Sequence, residues 1–165
     1  MLDVLLARQR GLLTRAQLIA AGVPAAHIDE RVRTRAWQPV LPRTYLLRPG
    51  LGPDELRVRA AVLWAGPGAV LTGVAAAWWY GIVARPPTPV RVAAAHRRRP
   101  LRRREVVAEP GRPPEVLEIR GLRVTAPLVT LLDAAVELGP AGVLLLRDVQ
   151  HIRAGQLGAL WPRTG

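Results

Sequence analysis

The chain has 165 residues, enough for one ordinary domain or two small ones, and half of them are hydrophobic, which excludes a disordered tail. It contains no Cys, so disulfides and thiolate metal sites are excluded. The net charge is +12 and every one of the 24 basic residues is Arg, while Lys, Asn, Ser and Phe are missing. That alphabet fits a GC-rich coding sequence, so part of the arginine excess is codon bias.

The charge is not spread evenly. Residues 1–50 hold eight Arg against three acids, and residues 85–104 hold eight Arg and no acid. The remainder is close to neutral. Two confined basic segments are what docking of a polyanion on chosen faces requires. The opening "MLDVLLARQRG" lacks the basic start, long apolar run and cleavage site of a secretory signal, so a cytoplasmic location is expected. Residues 60–84 carry no charge and could span a bilayer by length. Gly66-Pro67-Gly68 divides them, so two buried helices and no membrane span are expected.

In chain order, Leu2, Leu5 and Leu6 give a first short helix its apolar stripe. After Gly11, "LLTRAQLIAAG" reads as a second helix, with Thr14 and Gln17 in the capping-box pattern and Gly22 as its stop. "VPAAHIDERVRTR" reads as a third, opened by Pro24. The two stand about three residues apart, the spacing of a helix-turn-helix. At 100° per residue, Ala25, Ile28 and Val32 face inward, Ala26, His27, Glu30, Arg33 and Thr34 outward, and Arg31 lies on the flank. "WQPVL" and "TYLL" read as two strands around Pro42-Arg43, pinned by Trp37, Val40 and Tyr45, with Arg43 at the tip. Three helices followed by a β-ribbon is the order of a winged helix-turn-helix, here assigned to residues 1–50.

A second unit, residues 51–165, opens with "GPDELRVRAAVLWAG", where Pro53, Asp54 and Glu55 suit a helix start and Gly66 its end. Thr72 is placed to cap "GVAAAWWYG". Strands are expected in "VRVAAA", "EVVAE", "EVLEI" and "LRVT", the last two as a hairpin around Arg120-Gly121. "PLVTLLDAAVELG" and "AGVLLLRDVQHI" read as helices, and a weakly marked "GQLGALWPRTG" follows. The expected class is therefore α+β: an N-terminal winged helix-turn-helix and a mixed α/β C-terminal domain.

The strings "GLLTRAQLIAAGV", "VRTRAWQPVLPRTYLL" and "RVTAPLVTLLDAA", in this order and spacing, resemble the AbiEi family of type IV antitoxins. The resemblance runs from about residue 5 to about residue 160. It includes Thr14, Gly22, Trp37 and Tyr45, and a Pro-x-x-Thr-Leu-x-Asp signature at Pro127, Thr130, Leu131 and Asp133. Two departures stand out. The family ribbon turns through Pro-Gly-Val-Tyr where this chain has Pro42-Arg43-Thr44-Tyr45, and a Ser-His pair gives way to Thr72-Gly73. Longer family members carry a nuclease-like C-terminal extension, and this chain resembles the short form without it. The resemblance implies an antitoxin that binds operator DNA as a transcriptional repressor of its own operon, beside a nucleotidyltransferase-like toxin.

The candidate DNA-binding residues fall in three places. On the third helix they are His27, Arg31, Arg33 and Thr34, with Arg35 at its end; Arg can bond guanine O6 and N7 bidentately in the major groove. The alternative is a solvated amphipathic face, and Asp29, four residues before Arg33, could neutralise it. Arg43 is the wing-tip candidate. In "HRRRPLRRRE", Arg97, Arg98, Arg99, Arg102, Arg103 and Arg104 form either a phosphate clamp or minor-groove arm, or a basic loop of biased composition.

Catalysis has little support. Without Ser or Cys the common acyl nucleophiles are absent, and without Lys so is a P-loop. His27, His96 and His151 lack metal-ligand spacing, Glu105, Glu109, Glu115 and Glu118 form no evident acid–base pair, and Asp133 is expected to be a buried, hydrogen-bonded structural group. Trp64, Trp78 and Trp79 are expected in the core. No cofactor, metal or enzymatic activity is expected. The competing reading is an interaction module that binds a toxin or regulatory partner through the C-terminal domain. General RNA binding is disfavoured by the scarcity of exposed aromatic residues.

Overall fold

The computed structural model describes residues 2–151, with side chains through Arg147. The segment "GQLGALWPRTG" and the side chain of His151 lie outside the described residues. Within them the chain is mixed α+β, with seven helices and two sheets. No helix among them is long and apolar enough to cross a membrane.

The first sheet belongs to the N-terminal unit. Its elements are α1 (Leu2–Arg8), β1 (Leu12–Thr14), α2 (Arg15–Ala20), α3 (Ala25–Arg33), β2 (Gln38–Leu41) and β3 (Thr44–Leu46). The capping box forms as expected: Gln17 N–H donates to Thr14 Oγ1 at 3.2 Å, and Thr14 N–H to Gln17 Oε1 at 3.0 Å. It starts the helix later than the apolar run suggests. Leu12 and Leu13 are not helical but form β1, antiparallel to β3 in the order β1-β3-β2. A short apolar run before a cap fits either state. Pairing with β3 decides for strand, burying Leu12 and Leu13 on opposite faces.

Leu6, Leu13, Leu18, Ile28 and Tyr45 make the small core of this unit, with Val32 and Trp37 packed at its edge. Ile28 is buried as expected, whereas Ala25 is exposed, because the first turn of α3 projects beyond the core. The β2–β3 turn is the two residues Pro42 and Arg43, with Leu41 paired to Thr44. Proline followed by a residue at φ +60° is the pattern of a type II turn.

The second sheet is built from β4 (Val70–Leu71), β5 (Val90–Ala93), β6 (Leu101–Arg102), β7 (Val106–Glu109), β8 (Val116–Ile119) and β9 (Leu122–Thr125), in the order β6-β7-β5-β4-β9-β8. The pairs β5–β7 and β4–β9 are parallel and the rest antiparallel. The hairpin turns through Arg120 and Gly121, both at positive φ, as expected. β4 and β6 were not expected; each is two residues long, too short to leave a periodic pattern.

Helices α4 (Pro53–Ala65) and α5 (Gly73–Trp79) are the two apolar helices, separated at Gly66-Pro67-Gly68. Both are buried, and α4 packs between the sheets: Leu12 and Leu41 of the first sheet share one apolar cluster with Val58, Ala61 and Val62. Helices α6 (Pro127–Leu138) and α7 (Pro140–His151) complete the unit, α6 against α5.

Three side-chain arrangements lock the second unit. Arg59 is buried, donating Nε to Glu55 at 2.7 Å and Nη2 to the Arg120 carbonyl at 2.9 Å, while its guanidinium and that of Arg120 both stand over Trp79. Trp79 is a core residue as expected, and Trp78 and Trp64 are half-buried. Buried Thr130 bonds the Thr125 carbonyl at 2.8 Å and the Thr125 hydroxyl at 2.7 Å. Asp133, one turn later, is exposed rather than buried. The internal carboxylate is Glu137, whose Oε2 accepts from the Val74 N–H at 3.0 Å and whose Oε1 lies 3.3 Å from Arg91. Thr72 makes no side-chain cap for α5, so Glu137 takes that place from across the helix pair.

Candidate nucleic-acid interface

The polar face of α3 exists because the helix buries only Ile28 and half of Val32 against the small core. His27, Arg31, Arg33, Thr34 and Arg35 are all exposed. They are not equally free. Arg33 donates Nε and Nη2 to the two carboxylate oxygens of Glu30 at 2.9 and 2.7 Å. Thr34 Oγ1 donates to the Glu30 carbonyl at 2.8 Å, turning its hydroxyl back onto the helix end. Arg31 Nε donates to His27 Nε2 at 3.3 Å, and the His27 ring meets Trp37 edge-on with centroids 6.0 Å apart. Arg35 carries no ion pair among the described residues, at φ +58° just past the helix.

The Asp29–Arg33 pair, which would favour a neutralised solvated face, does not form. Arg33 takes Glu30 instead, three residues away, and Asp29 turns to α2, where Arg15 Nη1 and Nη2 donate to its two oxygens at 2.5 and 3.0 Å. These bonds from Arg15 hold the Asp29 carboxyl below the ordinary aspartate range. The effect is to clamp α3 onto α2 with a bidentate pair and to remove one negative charge from competition for the outward arginines. The Arg15 N–H in turn donates to the Arg43 carbonyl at 2.8 Å, so the β2–β3 tip is tied to the start of α2. The turn thus places Arg43, exposed and without a carboxylate partner among the described residues, beside the helix pair.

In the arginine run, β6 is an edge strand beside β7, and the residues around it form exposed loop. Arg98, Arg99, Arg103 and Arg104 are exposed with no carboxylate partner among the described residues. Arg102 lies 3.7 Å from Glu109, which also pairs with Arg91 at 2.9 Å. Arg97 differs from its neighbours: it is half-buried, with its guanidinium 5.7 Å from the Trp64 ring centroid. The sequence showed the density of this run but not that one member is drawn inward by an aromatic ring on α4.

The N-terminal basic region also borders a groove that the sequence did not reveal. It is about 790 Å³ in volume, between α1, α2 and the β2–β3 turn on one side and the end of α4 with the β8–β9 hairpin on the other. Arg15 and Arg43 line one wall and Trp64 the other, with Arg97 over Trp64. Among the described residues no group of three or more His, Cys, Asp or Glu side chains comes together. No protein-family model matches the chain, and comparison with curated proteins finds no match.

Proposed function

We propose that the protein is a sequence-specific DNA-binding protein of the AbiEi antitoxin type, with residues 1–50 as a winged helix-turn-helix that represses its own operon. The observation that carries this reading is the N-terminal chain order: helix, strand, two helices clamped by Arg15–Asp29, then a two-strand ribbon whose tip is a lone arginine. Strand β1 closes that ribbon into the three-stranded sheet expected of a winged helix. In such a protein α3 enters the major groove, where Arg31, Arg33 and Arg35 reach base edges and phosphates, and the tip follows the backbone or minor groove.

Arg43 supports the reading for a second reason. The second position of a type II turn favours glycine, because a left-handed backbone costs other residues roughly 1–2 kcal/mol. A charged side chain held there at φ +60° opposes the local preference of the backbone. Phosphate binding gives that cost a purpose. The partner is double-stranded operator DNA, and a nucleotidyltransferase-like toxin is the functional partner that the family resemblance implies.

The test is a pair of binding isotherms at one fixed salt concentration, on the promoter of the protein's own gene and on scrambled duplex. The reading requires preference for the promoter; equal affinity for both sinks the repressor.

A protein-interaction role for the second unit is favoured by one observation. Leu128, Leu132 and Val136, at four-residue spacing, form an exposed stripe along α6, with Val136 83% exposed, and Val143 and Leu144 on α7 are also exposed. An exposed apolar stripe of this kind suits a contact site. Val136→Arg should abolish co-migration with the purified nucleotidyltransferase or with a second copy in gel filtration. A wild-type protein that migrates alone and as a monomer overturns this second reading.

A further inference from the structure

Three buried side-chain polar atoms among the described residues have no hydrogen-bond partner: Gln9 Oε1, Thr44 Oγ1 and Arg97 Nε. Gln9 and Thr44 line the groove between the two units, and Arg97 stands over Trp64, which also lines it. Buried polar atoms are nearly always paired, since an unpaired one costs roughly 1–3 kcal/mol. Orphans scattered over a fold would say little. Two of these three, Gln9 and Thr44, line one groove.

The groove is also strongly cationic. Arg8, Arg15, Arg43, Arg59 and Arg123 line it, and no acidic side chain does so among the described residues. Arg15 and Arg59 are committed to Asp29 and Glu55, whereas Arg8, Arg43 and Arg123 have no carboxylate partner among the described residues. Arg123 is positioned by its bond to the Gly68 carbonyl at 3.1 Å. Apolar wall faces these cations: Leu12, Val62, Leu63 and Trp64. The volume of about 790 Å³ lies within the range of small-molecule sites, roughly 300–1,000 Å³.

We infer that this groove binds a free nucleoside phosphate. The phosphate meets the unpaired guanidiniums, which hydrogen-bond phosphate oxygens in bidentate fashion. A planar base lies against the apolar wall, and its amino group or a ribose hydroxyl supplies the donor that Gln9 Oε1 lacks. Thr44 Oγ1 takes either role. An inorganic anion leaves the apolar wall unused. A fatty acid satisfies the wall and the charge but brings no donor for Gln9. Because Arg43 lines the groove at the ribbon tip, ligand bound there also competes for a cation assigned above to DNA. The groove itself does not rest on that assignment.

Calorimetric titration of the full chain with adenosine and guanosine monophosphate, adenosine alone and inorganic phosphate tests the inference. A nucleotide should bind at least about tenfold more tightly than phosphate or adenosine. Thr44→Val keeps the side-chain shape while removing the orphaned hydroxyl, so it should leave the melting temperature unchanged or raised and weaken the nucleotide about tenfold. Arg123→Gln, at an exposed position, should do the same through loss of charge. No binding by either nucleotide, equal binding of phosphate, or affinities untouched by both variants overturns the assignment. A single-stranded tetranucleotide that binds more tightly than the monophosphates assigns the groove to a strand end and also overturns it. Loss of promoter binding by wild type, with nucleotide binding intact, removes the DNA reading alone.

Discussion

Glu30 holds Arg33 through both of its carboxylate oxygens, at 2.7 and 2.9 Å, on the exposed face of α3. On the proposed function, the residue assigned to read a guanine is thus already occupied in the free protein. Such a pair is weak: both side chains are more than half exposed, and solvent-exposed pairs contribute about 0–1 kcal/mol. A guanine edge can displace it.

The first prediction follows from that pair. Glu30→Gln should strengthen operator binding several-fold, because it frees Arg33 and removes a negative charge from the DNA side. Arg33→Ala should cost about 1–3 kcal/mol on the operator and little on random duplex. Isotherms for both variants on both DNAs decide it. If Glu30→Gln weakens binding, the carboxylate is positioning Arg33 rather than restraining it.

Arg43→Gly should separate charge from fold. Glycine accepts φ +60° without strain, so the melting temperature should hold or rise. Operator and random duplex should weaken together, since on the proposed function the ribbon tip contacts phosphate. Loss of operator affinity alone would instead make Arg43 a base reader.

The arginine run should report through salt. Replacing Arg98, Arg99, Arg103 and Arg104 by Gln leaves the Arg97–Trp64 and Arg102–Glu109 contacts in place. For each of the four that neutralises a phosphate, the slope of log affinity against log salt should flatten by about 0.9. An unchanged slope removes the loop from the interface.

Glu137 should give the fold a pH signature. Burial raises its pKa despite the Val74 N–H and Arg91, which pull it down. The folded state then favours the protonated acid, so its contribution is greatest below the unfolded carboxyl pKa and declines as pH rises through the higher folded value. Glu137→Gln retains an acceptor for Val74 and does not titrate. Its stability relative to wild type should therefore increase with pH across the carboxyl range, read from denaturant midpoints. Glu137→Ala leaves the Val74 N–H unpaired and should cost about 1–3 kcal/mol at any pH. A Gln variant that loses ground as pH rises would show that the Arg91 pair outweighs burial.

Local chemistry alone determined much of this protein. The Thr14–Gln17 box, Pro53 and Gly66 around α4, the Arg120-Gly121 hairpin and Pro127 with Gly139 around α6 are each written within a few neighbouring residues, and each element forms there. The exposed faces bearing Arg33 and Arg98 were legible for the same reason, since charge excluded from a core must face water. Tertiary structure decided what depends on partners distant in sequence. Leu12 and Leu13 are strand because β3 lies beside them, Asp29 takes Arg15 rather than Arg33, and Glu137 rather than Asp133 becomes the partly buried, hydrogen-bonded carboxylate. The groove between Thr44 and Trp64 belongs to the same class. Its walls come from segments tens of residues apart, and only the packing of α4 between the two sheets brings them together.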